Sequence, residues 1–235
     1  MSFDLAVIAY GLPIFAEGLL NTVLFCAVAI GAGLPLAAVL ALARLSRRGA
    51  CRRPAIAFIE ILRNTPFLVQ VFLLYFALPA LGLRLDATTA GLVALTAYAG
   101  AYFAEAIRGA ILSVPSGQLE SARALGMPYL RAVRRIVAPQ MMGYLLPALT
   151  NQMIGVIKDS AVLSVITVPD MAMAAQQVLG ETFAPVESYV MAAVLYWALT
   201  AAVAALMGRL ETRFAAPARQ PLRPLETVPA FAAER

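Results

Sequence analysis

Histidine is absent from the 235 residues of this chain, and lysine occurs once, as Lys158. The first absence removes histidine metal ligands, histidine-based triads and histidine proton relays together. Lys158 follows Ile157 rather than a glycine, so no G-x-x-x-x-G-K-[ST] loop exists and any ATP is bound by another chain. A G-x-S-x-G elbow is missing too, which argues against an intramembrane hydrolase. Cysteine is scarce: Cys26 sits in an apolar run and Cys51 in an arginine-rich stretch, a separation that disfavours a structural disulfide. Charge is thin, at 13% of residues against 62% hydrophobic ones, and the mean hydropathy is +0.82. Such a balance excludes an ordinary soluble domain and indicates an integral membrane protein. The start of the chain has neither a basic n-region nor a small-residue cleavage site, so no removable signal peptide is expected.

What is present is a series of long apolar runs. A bilayer-crossing helix needs about 20 mostly apolar residues, and residues 18–43, 88–111, 138–157 and 188–208 meet that length with at most marginal charge. Residues 55–81 are as long but contain Glu60, Arg63, Asn64 and Pro66, so they predict a span with a polar face turned to protein or water. The expectation is an all-α integral membrane fold with five transmembrane helices. Residues 160–169 are too short to cross and, with 171–180, predict an interfacial or re-entrant hairpin after the fourth span. Residues 1–17 form an extracytoplasmic segment, 18–210 the membrane domain, and 211–235, with Pro217, Pro221, Pro224 and Pro229, an extended cytoplasmic tail.

Arginine sets the expected orientation, because cytoplasmic loops carry the excess of basic residues. Arg44, Arg47, Arg48, Arg52 and Arg53 crowd the first loop, Arg84 alone serves the second, and Arg123, Arg131, Arg134 and Arg135 fill the third. The fourth loop has Asp170, Glu181 and Glu187 and no base. The first and third loops and the C-terminus are therefore expected inside the cytoplasmic membrane and the N-terminus outside. No inverted repeat is visible, and an odd number of spans disfavours two equal halves. Five helices enclose little alone, so a pathway is expected between two copies or between this chain and a related one.

The third loop is a polar island at residues 115–139. Ser116 is placed to cap a helix through Leu125, Gly126 to end it and Pro128 to open a second helix. On that second helix Arg131, Arg134 and Arg135 share one face, while Leu130, Val133 and Val137 share another. Pattern alone leaves two partners open for the basic face, anionic lipid headgroups or a soluble protein.

Glu120-Ser121-Ala122, Gly126, Ile136 and Pro139 resemble the E-A-A-x-x-x-G-x9-I-x-L-P loop of ABC-importer membrane subunits, with Ser121 and Ala138 as departures. The runs from Arg63 to Gln70, Tyr75 to Pro79, Glu105 to Gly109, Gly117-Gln118 and Lys158 to Leu163 resemble the polar amino-acid branch of that family, and the resemblance covers residues 17 to 210. It implies a type I permease fold in which loop 113–138 carries a coupling helix. Gly117, Leu119, Glu120, Ala122, Arg123, Leu125 and Gly126 are then the residues that meet the ATPase. It also implies a non-catalytic chain without cofactor, with ATP and Mg held by an ATP-binding cassette dimer. The other implied partners are an extracytoplasmic solute-binding protein and a second or sister permease; nucleic acid is not among them. Ala161 replaces a hydroxyl residue frequent in the family, which weakens that position as a substrate contact.

Several polar groups lie inside the apolar runs. Arg63 would be costly there as a lone charge; Glu60, three residues earlier, is its expected partner, and a place in the pathway is the alternative. Thr65-Pro66 frees backbone groups that are tolerated only against protein or a wet cavity, and Gln70 can face that cavity or bond to a neighbouring helix. Glu105 and Arg108 are an i, i+3 pair. Thr65, Gln70, Tyr98, Asn151, Lys158, Asp159 and Ser160 are the candidate pathway residues, since an amino-acid zwitterion needs a cation, an anion and hydrogen-bond partners. The competing function is an ion-coupled secondary transporter or channel subunit, which would bury ionisable groups at midplane in repeat-related helices and leave the island unexplained.

Overall fold

The computed structural model describes residues 3–214, and all regular structure among them is helical. Helix α1 is Leu5–Leu45, capped by the Asp4 carboxylate, which accepts from the Ala6 N–H at 2.8 Å. At 1.5 Å per residue its 41 residues reach about 60 Å, roughly twice the hydrocarbon thickness. It passes unbroken through residue 17, so no structural boundary separates the expected N-terminal segment from the first span.

The second expected span is not one straight helix. Helix α2, Gly49–Asn64, ends at Thr65, whose backbone is extended (φ −115°, ψ 146°), and α3, Phe67–Phe72, continues through a π-turn and a 3-10 turn to Leu81. The two segments meet at 111°. Pro66 is the cause, since its ring pushes the preceding residue out of the helical region and removes one N–H.

Helix α4, Ala87–Leu112, is capped by Asp86, which accepts from the Thr89 Oγ1 (2.6 Å) and N–H (3.0 Å); these bonds hold its exposed carboxyl below the usual carboxylate range. Helix α5, Ser116–Ala124, starts from Pro115, and no side chain caps it, so the expected Ser116 cap does not form: Ser116 already lies in the first turn. Helix α6, Tyr129–Ala132, passes through a π-turn, Val133–Val137, into α7, Ala138–Asp159. A 3-10 segment, Ser160–Ile166, leads to α8, Met171–Thr182, and α9 is Pro185–Phe214. The expected tail lies, beyond Phe214, outside the described residues.

Three helices, α1, α4 and α9, are each long and apolar enough to cross a membrane, and two bent pairs raise the number to five. The second pair, Tyr129–Ile166 with Met171–Thr182, bends by 49°, where the hairpin was expected. The core runs along α1 and α4, where small residues let backbones approach. Ala29, Gly33, Ala37 and Ala41 follow each other at four-residue steps on α1 and are all buried. A Cβ on Gly33 would stand 3.1 Å from the Ala99 Cβ, and one on Gly100 only 2.6 Å from Leu36 Cδ2. Helix α8 closes the opposite end. Its Met171 N–H donates to Thr22 Oγ1 at 3.0 Å, and Asn21 Nδ2 donates to the Pro169 carbonyl at 2.9 Å.

Candidate functional site: a coupling arm and a polar seam

Helix α5 follows α4 at the end where α1, α2 and α4 bring Arg44, Arg63 and Arg108 together. Its last turn is closed by two bonds, Gly126 N–H to the Arg123 carbonyl (2.9 Å) and Met127 N–H to the Ala122 carbonyl (3.1 Å). With Gly126 at φ +82° this is a Schellman ending, which L-residues with a Cβ resist. Glu120, Arg123 and Leu125 are exposed, and Leu125 keeps 86% of its surface in the open. Gly117 is exposed and Leu119 half-buried. Ala122 departs from expectation: only 3% of it is accessible, so it anchors α5 to its own chain and offers a partner no area. Helical spacing explains this, because a nine-residue helix lying on the protein must turn one stripe inward.

Next to this arm lies an ionic knot that the sequence reading missed. Glu105 of α4, half-buried, forms ion pairs with Arg44 Nη1 at 2.6 Å, Arg108 Nη2 at 2.9 Å and Arg63 Nη1 at 3.6 Å, and of the three only Arg108 donates hydrogen bonds to it. One carboxylate thus ties the ends of α1 and α2 to α4. The i, i+3 pair of Glu105 and Arg108 forms as expected. The Arg63 to Glu60 pair does not, because Arg63 turns to α4, with its guanidinium carbon 5.3 Å from the Tyr102 ring centre. Glu60 stays exposed and, among the described residues, reaches only Arg44, at 4.0 Å.

Above the knot, at the 111° bend, the candidate pathway residues separate into three groups. Thr65, Gln70, Tyr98 and Asp159 converge. Gln70 Nε2 donates toward the Leu62 carbonyl (2.8 Å), the Thr65 carbonyl (3.1 Å) and Thr65 Oγ1 (2.9 Å). Tyr98 donates its hydroxyl to Asp159 Oδ2 at 2.8 Å, and the Phe67 ring, 4.7 Å from that of Tyr98, joins the two pairs. Gln70 Oε1 is buried and has no hydrogen-bond partner among the described residues. Asn151 and Lys158, seven residues apart on one face of α7, are exposed and stand apart. Ser160 is withdrawn: it is 1% accessible, and its hydroxyl donates to the Ile157 carbonyl at 2.8 Å. The pairing of Tyr98 with Asp159 spans 61 residues; only the clustering of polar residues in apolar runs hinted at it. Among the described residues, no group of three His, Cys, Asp or Glu side chains could hold a metal ion.

A bent helical domain of three to five spans with a short polar helix, α5, between α4 and α7 and a polar seam at its bend defines a transport permease. The family model for the binding-protein-dependent transport system inner membrane component matches residues 33–216, and the chain belongs to that family. It is 36% identical over 203 residues to the probable amino-acid ABC transporter permease protein YckA of Bacillus subtilis (strain 168), covering 86% of this chain and 90% of that one. It is 34% identical over 215 residues to the glutamine transport system permease protein GlnP of Escherichia coli (strain K12), covering 91% and 98%. A crystal structure of an amino acid ABC transporter with histidines superposes with a TM-score of 0.85 at 35% identity, covering 91% of this chain and 100% of that one. An inward-facing MetNI methionine ABC transporter, at 22% identity and a TM-score of 0.70, shares the fold. The expected family, all-α membrane fold and permease function are borne out.

Proposed function

We propose that this chain carries a polar L-amino acid, or an amino-acid-like solute, across the cytoplasmic membrane by alternating access, driven by ATP that a partner chain hydrolyses. The observation that carries the reading is the division of α5 into an anchored residue, Ala122, and an open face of Glu120, Arg123 and Leu125. An ATP-binding cassette dimer, holding ATP and Mg, docks on that face. Its closure pushes α5, and the rigid turn at Gly126 passes the movement to α6 and α7. The arm, the Glu105 knot and the C-terminus lie in the cytoplasm; the N-terminus lies outside, where a solute-binding protein delivers the substrate. A second copy, or a sister permease, completes the pathway.

The polar seam suits a zwitterion. Asp159 attracts the ammonium group, Tyr98 positions that carboxylate, and Gln70 Oε1 is an acceptor that the protein leaves unused. Amino-acid relatives support this substrate class. The test is reconstitution of the chain with its ATPase in proteoliposomes holding ATP. Uptake of a labelled amino acid delivered by the cognate binding protein is expected, and it should stop without ATP. Copurification without any ATPase chain, or uptake driven by an ion gradient alone, would overturn the reading.

A further inference from the structure

The arginines at the basic end fall into two sets. Arg44, Arg63 and Arg108 are all engaged by Glu105. Arg131, Arg134 and Arg135 are exposed, and among the described residues none lies within ion-pair distance of a carboxylate. With Pro128 and Leu130 these three line a groove of about 640 Å³. We propose that this groove binds the phosphodiester headgroup of an anionic phospholipid in the cytoplasmic leaflet. The proposal rests on the orientation given above.

Three features select that ligand. The first is charge: three guanidinium groups without a carboxylate present paired donors that match phosphate oxygens. The second is level. The helix from Tyr129 continues through the π-turn into α7, so Arg135 lies only about 5 Å of helix rise before the apolar stretch begins. That is where hydrocarbon gives way to headgroups, and basic pockets at the cytoplasmic face of spanning helices suit anionic lipids. The third is the neighbouring surface. Leu130 is 76% exposed and Tyr129 59% exposed beside the arginines, which places an aliphatic and an aromatic side chain where a lipid's glycerol and upper acyl chain would lie. An acidic protein surface would match the charge and not the level. A lipid held here touches the segment between coupling arm and span, so it would stiffen the transmission between them.

The experiment measures phosphatidylglycerol retention by native mass spectrometry on the assembled importer, with this chain and its ATPase together. The triple variant R131Q/R134Q/R135Q is expected to bind the lipid at least about tenfold more weakly. The charge-matched control R47Q/R52Q/R53Q, in the first basic loop, is expected to bind as the wild type does. R131K/R134K/R135K keeps the charge and loses the paired donors, so an intermediate loss is expected; it also serves if the glutamine variant fails to fold. Phosphatidylcholine should show no difference between any of these, and excess inorganic phosphate should not displace the glycerolipid. Equal losses in both triple glutamine variants would mean diffuse attraction and overturn the proposal. So would full displacement by phosphate, or lipid binding only after the ATPase is removed, which would make the groove a protein contact. A failure of the orientation would appear separately, in the labelling of Cys51 described below.

Discussion

Gln70 Nε2 lies 2.8 Å from the carbonyl oxygen of Leu62, the acceptor that loses its helical donor because residue 66 is a proline. In an unbroken helix that carbonyl would accept from the N–H of residue 66, four positions on. The side chain of Gln70 therefore mends a helix from the far side of its own break. Replacing Gln70 by alanine should destabilise the protein by about 1 kcal/mol, the net worth of one hydrogen bond to a partly buried acceptor. Pro66→Ala restores the missing donor, so the double variant P66A/Q70A should recover part of the loss. Thermal unfolding in detergent reads both, and strictly additive effects would show that the two positions are not coupled.

Glu105 compensates three arginines, so Glu105→Gln should be more harmful than any single arginine substitution in the knot. Breaking a fully buried pair costs about 3–5 kcal/mol, and the partial exposure of this one brings the expectation to about 2 kcal/mol. A cycle of R63Q, E105Q and the double variant, followed by thermal melting, should show clear coupling. A glutamate that tolerates neutralisation without loss of stability would rule out the knot as a fastening between helices.

On α5 the inward and outward residues should respond differently. Leu125→Ala and Glu120→Lys should leave the melting temperature of the isolated permease unchanged while weakening ATPase binding and transport. Ala122→Leu should lower the melting temperature even without the partner, because that site has no room. Gly126→Asp places a Cβ in a left-handed backbone, at a cost of up to about 1 kcal/mol because aspartate tolerates that region better than most residues, and its added charge at the exit of α5 should uncouple ATP hydrolysis from uptake. Normal uptake by Glu120→Lys or Gly126→Asp would remove the arm from the mechanism.

Cys51 is exposed and Cys26 buried, which makes them reporters of sidedness without engineering. An impermeant maleimide should label Cys51 in inside-out vesicles and leave it untouched in right-side-out ones. Cys26 should react only after unfolding. Labelling of Cys51 from the outside would invert the proposed orientation.

How much of this was legible in the sequence follows from the range of each interaction. Hydropathy located the apolar runs, and the Gly126-Met127-Pro128 run announced the turn after α5, because both signals are local. Pro66 announced a disruption, but the angle of the bend depends on what α2 and α3 pack against. The partner of Arg63 was misread for the same reason: Glu60 is near in sequence, whereas Glu105 is brought close only when α4 packs on α2. Ala122 looked like docking surface because a nine-residue helix gives too little periodicity to tell its inner stripe from its outer one. Ser160 was a reasonable polar candidate until the 3-10 turn directed its hydroxyl to the backbone.

The small-residue seam between α1 and α4 limits where movement can arise. At Gly33 and Gly100 the two helices approach so closely that an added methyl would crowd the Ala99 Cβ at 3.1 Å or displace the Leu36 side chain at 2.6 Å, so sliding or rolling of one helix on the other meets resistance. The pair behaves as a fixed mast, and travel between the two open states must come from parts that lack such a seam. The jointed second span, hinged at Thr65 and Pro66, and the bent length from α6 to α8 are those parts. A disulfide that pins α3 to α4 should halt turnover.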